Sequence, residues 1–141
     1  MPDIESLFPN LRPSGYRRTS PEDLAYNCVA WAAGSVGEWW EAAPGYYWPV
    51  HSPNPPTIEN VVAMFMTLGF SVCSDSDAEQ GYEKIAVYGL DGEYTHVARQ
   101  LETGKWTSKI GALEDIEHDT LEGLIGTEYG PVEKLLRRKI P

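Results

Sequence analysis

The chain has 141 residues, of which 42% are hydrophobic and 11% are aromatic. This composition fits one folded domain over residues 1–141, which would bury roughly two thirds of its unfolded surface. The 21 acidic and 11 basic residues give a formal charge of -10, which repels phosphate backbones and anionic lipids and argues against nucleic-acid and membrane partners. The sequence has no basic start followed by an apolar run and no long apolar stretch, so we expect a cytoplasmic protein unless a route without an N-terminal signal exports it.

Residues 1–19 are predicted to form an irregular lead-in, because proline and glycine interrupt them repeatedly. Two starts are then possible for a first helix. One has Ser20 as its cap, and the other has Asn27 as its cap with Cys28 just inside. In the second case the positive end of the helix dipole would surround Cys28, which favours the thiolate.

The segment "GEWWEAAPGYYWPVHSPNPP", residues 37–56, predicts a long loop, because it shows neither helical nor strand periodicity. Its aromatic side chains fit two roles equally well: they could line a substrate cleft or cover an edge of the core. Trp48 in this loop and Trp31 before it are the candidates for substrate contact.

The segment "TIENVVAMFMTLGF" predicts a helix that begins after a capping Thr57 and stops at Gly69. Four strand candidates follow at 70–74, 84–90, 94–101 and 105–110, and Asp91 and Gly92 join the second to the third. The tail segments "EHDTLEGLI" and "GPVEKLLRRK" predict one or two short closing helices. The expected fold is an α+β domain with N-terminal helices packed on a small antiparallel sheet.

Cys28 in "YNCVAWAAG" can be a buried core thiol or a nucleophile, and free cysteines are commonly buried. Cys28 and Cys73 are predicted to be free thiols, although a bridge between them stays open. A cysteine nucleophile needs an imidazole base. His51 lies in the aromatic loop and His118 near a predicted helix start, whereas the strand residue His96 would be held steadily, so His96 is the predicted base.

Two segments carry a resemblance to a known superfamily. "YNCVAWA" followed by "THVARQLETGKWTSKIG" resembles the papain-like cysteine hydrolases, especially their cell-wall amidase and peptidase branch. Together with "WTSK" and "DIEH", these segments also resemble an uncharacterised bacterial domain family. The first resemblance implies a papain-like fold with Cys28 as nucleophile, His96 as general base and Asn27 as an oxyanion-binding candidate.

The group that orients His96 is open between three residues. A tight turn at Thr103 and Gly104 would place Lys109 beside His96, whereas a three-residue turn would place Ser108 there. A carboxylate would stabilise an imidazolium better than either, so Asp115 is the predicted third catalytic residue. Asp115 could instead cap the helix predicted after it.

The sequence therefore predicts a cysteine hydrolase that cleaves an amide or thioester bond in a peptide or protein substrate, without a cofactor. No metal site is expected, because the cysteines and histidines lack the paired spacings that bring ligands together. The alternative is a catalytically silent papain-like module that binds or inhibits a partner protein. In that case Cys28 would be buried and inert.

Overall fold

A computed structural model describes residues 4–20, 57–109 and 115–140, without the side chains of residues 18–20 and 115. The helices are α1 (Ile4–Leu7), α2 (Leu11–Ser14), α3 (Ile58–Thr67) and a 3-10 helix (Leu121–Leu124). The strands are β1 (Tyr16–Ser20), β2 (Ser71–Cys73), β3 (Tyr82–Leu90), β4 (Glu93–Gln100), β5 (Trp106–Lys109), β6 (Asp115–His118) and β7 (Val132–Lys139).

The strands form one seven-stranded sheet in the order β1-β6-β5-β4-β3-β7-β2, and every neighbouring pair is antiparallel. The described residues thus form a mixed fold in which a few helices accompany a large antiparallel sheet. This agrees with the predicted α+β class. The helices are not all N-terminal to the sheet, however, because α3 follows β1. None of the described helices is long and apolar enough to cross a membrane.

The third helix and the hairpin after it confirm their predictions. Thr57 Oγ1 accepts a hydrogen bond from the backbone N–H of Asn60, which caps α3. The helix is followed by Gly69, whose φ of 98° is typical of a glycine helix terminator. Asp91 and Gly92 both have positive φ, so they form a two-residue turn between β3 and β4.

Three other predictions were wrong. The lead-in 1–19 is not irregular where it is described, because it holds α1, α2 and most of β1. Glu117 and His118, which start the predicted helix "EHDTLEGLI", belong to strand β6, so that only Leu121–Leu124 of this segment are helical, as a 3-10 helix. Most of "GPVEKLLRRK" is strand β7. β7 lies between β3 and β2 and pairs with both, so sheet pairing overrides the helical preference of its leucines, lysines and arginines.

The sheet separates two cores, because successive side chains of a strand point to opposite faces. On the first face, here the α3 face, buried residues of α3 and Phe70 pack on apolar residues of β3, β4 and β7. This cluster consists of Val61, Met64, Phe65, Phe70, Ile85, Val87, Val97 and Leu136. On the second, here the histidine face, α1, α2 and the 3-10 helix cover the strands. Its buried apolar residues are Ile4, Phe8, Leu11, Ala86, Tyr88, Ala98, Trp106, Ile116, Leu121 and Leu124.

Candidate active site

Three polar side chains lie within the histidine face, on three adjacent strands. His96 is on β4, Ser108 on β5 and His118 on β6, and each is fully buried. Buried polar groups are costly unless they are hydrogen-bonded. Three of them in one core therefore form a specific arrangement whose bonds can be followed atom by atom.

The turn between β4 and β5 decides which residue meets His96. The backbone N–H of Leu101 donates to the carbonyl of Lys105 at 2.7 Å, so the loop between them has three residues, 102–104. This register pairs Arg99 with Thr107, which places Ser108 on the same face as His96. Lys109 is also buried, but as the next residue of the strand it points to the opposite face.

The three side chains form a continuous hydrogen-bonded chain. His96 Nε2 is 2.9 Å from Ser108 Oγ, and Ser108 Oγ is 2.7 Å from His118 Nε2. His118 Nδ1 is 2.9 Å from the carbonyl oxygen of Thr120. We call this arrangement, from His96 through Ser108 and His118 to the Thr120 carbonyl, the His-Ser-His chain.

Burial keeps both imidazoles neutral at pH 7. It lowers the pKa of His96 well below the ordinary value, and the neighbouring His118 lowers it further. Burial also lowers the pKa of His118 to about 4, against the opposing effects of the Thr120 carbonyl and the Asp119 carboxylate. Each neutral ring therefore carries one N–H and one bare nitrogen.

The direction of every hydrogen bond follows from the Thr120 end. A backbone carbonyl only accepts, so His118 Nδ1 carries the proton and His118 Nε2 is bare. Ser108 must then donate its single hydroxyl proton to His118 Nε2. Ser108 Oγ accepts in turn from His96, so His96 carries its proton on Nε2. His96 Nδ1 is left as a bare nitrogen that can accept a proton.

The bare Nδ1 of His96 is buried and has no hydrogen-bond partner among the described residues. The ring itself is firmly held. Tyr129 stacks on it with 4.3 Å between ring centroids and 3° between the planes, and the Tyr88 ring lies at 5.6 Å. Thr95 Oγ1 donates to the Tyr129 carbonyl, which ties the stacking residue to β4. A fixed imidazole with one open acceptor is the arrangement that a general base requires.

The residues that would complete the predicted site lie elsewhere in the chain. Cys28, Asn27, Trp31 and Trp48 are outside the described residues. Asp115 begins β6, where its backbone pairs with Lys109, and its side chain is not described. The part of the chain that the structure describes gives Ser108 as the partner of His96 Nε2, and a role for Asp115 remains a prediction.

His118 was missed as a member of the site because "DIEH" was interpreted as the approach to a helix. The segment does carry a strand signal, since polar Asp115 and Glu117 alternate with Ile116 and His118. In the structure Ile116 and His118 are buried on the histidine face. That alternation could have placed His118 on the same side of the sheet as His96.

Other reactive groups stand apart from this chain. Cys73, at the end of β2, is a half-buried free thiol. Over residues 4–20, 57–109 and 115–140, no group of three or more His, Cys, Asp and Glu side chains could hold a metal ion. The His-Ser-His chain is thus the arrangement of the described residues that is best suited to acid-base chemistry.

These features define a mixed domain, with few helices and an antiparallel sheet that buries two histidines joined through the hydroxyl of Ser108. The chain belongs to the family described as Domain of unknown function (DUF7689), whose model matches residues 17–137. The match begins in β1 and ends in β7, so it includes Cys28 and the whole His-Ser-His chain. No curated protein and no solved structure matches the chain.

Proposed function

We propose that this domain is a papain-like cysteine hydrolase in which Cys28 attacks an amide or thioester bond and His96 is its base. The observation that carries the proposal is the bare, buried Nδ1 of His96. The opposite nitrogen of the same ring is held by Ser108, so the ring cannot turn without losing that bond. The second support is the "YNCVAWA" segment, in which Asn27 and Cys28 suit a helix start.

The reaction would begin when His96 Nδ1 takes the proton of the Cys28 thiol. The thiolate then attacks the substrate carbonyl carbon, and the side-chain amide of Asn27 is the candidate donor to the oxyanion. As the tetrahedral intermediate collapses, the His96 proton passes to the leaving amine or thiolate. Water then attacks the acyl carbon while His96 takes its proton, and collapse breaks the bond to Cys28 and releases the carboxylic acid product. The expelled Cys28 thiolate takes the proton back from His96.

The substrate proposed is a peptide or protein, and Trp31 and Trp48 are the proposed substrate-binding residues. With a formal charge of -10, the domain suits a neutral or basic substrate better than an anionic one. We place the reaction in the cytoplasm, where Cys28 and the free Cys73 thiol would stay reduced. No cofactor is needed for the steps above.

A second candidate is a catalytically silent module of the same fold that binds or inhibits a partner protein. One observation favours it: the described partner of His96 Nε2 is the neutral hydroxyl of Ser108, which stabilises an imidazolium less than a carboxylate does. In that case the His-Ser-His chain would serve only to fix the packing of the histidine face.

Alkylation by iodoacetamide separates the two candidates, with Cys73 as an internal reference. We expect Cys28 to react faster than Cys73 at pH 7, measured by mass spectrometry of the labelled peptides. His96→Gln should slow Cys28 by about 10²-fold or more, as expected for loss of a general base. His51→Gln is the matched control and should leave the rate unchanged.

Slow alkylation of Cys28 that is indifferent to His96→Gln would contradict the hydrolase and favour the silent module. A loss of rate in His51→Gln alone would indicate that His51, in the aromatic loop, is the base. Circular dichroism of each variant confirms that the fold is retained.

A further inference from the structure

His118 has a more favourable environment for a positive charge than His96 has. His118 Nδ1 donates to the Thr120 carbonyl at 2.9 Å, and the Asp119 carboxylate next to it favours a charged ring. The described surroundings of His96 are Ser108 and the rings of Tyr88 and Tyr129. None of these three carries a negative charge at pH 7.

The elements around His118 supply few other charges. β1 contributes Tyr16, whose hydroxyl donates to Glu5 of α1. β5 contributes Trp106 and Ser108, which are uncharged, and β4 contributes His96. The 3-10 helix that follows carries Glu122, and Asp119 is paired with Lys105 at 3.5 Å. The acidic groups outnumber Lys105 here, so these charges partly offset the burial that lowers the pKa of His118.

The two histidines are joined by hydrogen bonds along which protons can move while the heavy atoms stay in place. The links are 2.9 Å from His96 to Ser108 and 2.7 Å from Ser108 to His118. Both are ordinary hydrogen-bond distances. A hydroxyl group that accepts on one side and donates on the other can pass a proton by exchanging the two bonds.

We propose that His118 is the resting place of the proton that His96 removes, with Ser108 as the relay between them. When Nδ1 of His96 gains a proton, its Nε2 proton passes to Ser108 Oγ, and the Ser108 hydroxyl proton passes to His118 Nε2. His96 ends neutral with its proton on Nδ1, and His118 ends as an imidazolium that donates to Ser108 and Thr120. One proton enters the chain, and one positive charge appears at its far end.

Only the source of that proton, the Cys28 thiol, rests on the function proposed above. His118 does not touch the substrate in this scheme, so it is a positioning and proton-holding residue. The same movement in reverse returns a proton to His96 Nε2 as His96 Nδ1 gives its own proton to the leaving group. The relay keeps the positive charge away from the substrate while the tetrahedral intermediate forms.

Ring nitrogen NMR tests the relay without any assay of activity. The full chain is labelled with ¹⁵N-histidine, and the three rings are assigned through bonds and with His51→Gln. As the pH falls from 7, while the native amide spectrum persists, we expect His118 to show imidazolium shifts first. In the same step the proton of neutral His96 should move from Nε2 to Nδ1. Imidazolium shifts at His96 first, or equally at both rings, would overturn the relay.

Two hydroxyl deletions on β5 supply the kinetic test. Ser108→Ala should slow the alkylation of Cys28 by at least about 10-fold, less than loss of the base itself. Thr107→Ala is the matched control. It removes a buried hydroxyl that lies on the α3 face of the same strand and donates to the Ile116 carbonyl. That variant should keep the wild-type rate.

The two proposals fail in different ways. If His96→Gln slows Cys28 but Ser108→Ala does not, the relay is wrong and the hydrolase stands. If Cys28 is unreactive in the wild type, the hydrolase is wrong and the NMR titration alone decides the relay.

Discussion

The two faces of the sheet bury different kinds of side chain. On the α3 face the cluster packed under α3 is apolar, and Phe65 meets Phe70 edge to face at 5.5 Å, although β5 also buries Thr107 and Lys109 on this side. The histidine face also buries His96, Ser108 and His118. Dispersion and the hydrophobic effect stabilise the apolar cluster under α3. The stability of the second face depends also on the hydrogen bonds of its buried polar atoms.

The one atom of the His-Ser-His chain without a described partner is the most informative. His96 Nδ1 is buried and unpaired among the described residues, although the rest of the chain is satisfied. A buried acceptor without a partner costs about 1–3 kcal/mol. An apolar side chain at the same place would avoid that cost, so the contrast between the faces favours a chemical role for His96.

The α3 face should give the largest loss of stability on truncation. Phe65→Ala removes a fully buried ring and should lower the free energy of unfolding by about 3–5 kcal/mol. Met66→Ala, at the next and 53% exposed position, should change it by less than about 0.5 kcal/mol. Urea denaturation measures both. A similar cost at the two positions would show that α3 does not pack as described.

The histidine face should make the fold sensitive to acid. The folded pKa of His118 is about 4, below the ordinary value of 6.5, so the unfolded chain binds more protons between these pH values. The contribution of His118 to the free energy of unfolding is fully present above pH 6.5, and it is lost as the pH decreases toward 4. The full loss from this group is on the order of 3 kcal/mol.

Urea denaturation at a series of pH values checks this window. We expect His118→Gln to flatten the slope between pH 6.5 and about 5, where few carboxylates titrate. Phe65→Ala should lower the whole curve and keep its slope. An unchanged slope in His118→Gln would mean that His118 is not buried as a neutral ring.

The two buried hydroxyls of β5, one on each face, are expected to differ by a smaller amount in their contribution to the free energy of unfolding. Ser108→Ala leaves His96 Nε2 and His118 Nε2 unpaired and should cost about 2 kcal/mol. Thr107→Ala removes the donor to the Ile116 carbonyl and should cost about 1 kcal/mol. Thermal denaturation of the pair measures the difference. Equal costs would argue against a continuous hydrogen-bonded chain.

The local signals in the sequence were sufficient for α3 and for the Asp91–Gly92 hairpin. A capping threonine, a helical repeat and a terminal glycine act within one segment, and so does a two-residue turn. The helix predicted for the segment of β7 was wrong, because this segment becomes a strand by pairing with β2 and β3. Its ion pairs of Arg137 with Glu79 and of Arg138 with Glu83 join segments far apart in sequence.

The candidate site could be predicted only in part, because local signals identify single residues whereas their contacts depend on how distant strands pair. His96 was identified from its strand and from the resemblance around it, and Ser108 was one of two residues that the turn length allowed. The prediction of Asp115 rests on charge, and the side chain of this residue is not described. His118 lies on β6, next to β5, and contacts Ser108 diagonally, because the direct partner of Ser108 on β6 is Ile116.

The most direct test of the account is the tautomer of His96 in the wild-type protein at pH 7. Long-range ¹H–¹⁵N correlation spectra distinguish a protonated from a bare ring nitrogen in each histidine. We expect a neutral His96 with its proton on Nε2 and a bare Nδ1, beside a His118 with its proton on Nδ1. A His96 with its proton on Nδ1, or an imidazolium at pH 7, would contradict it.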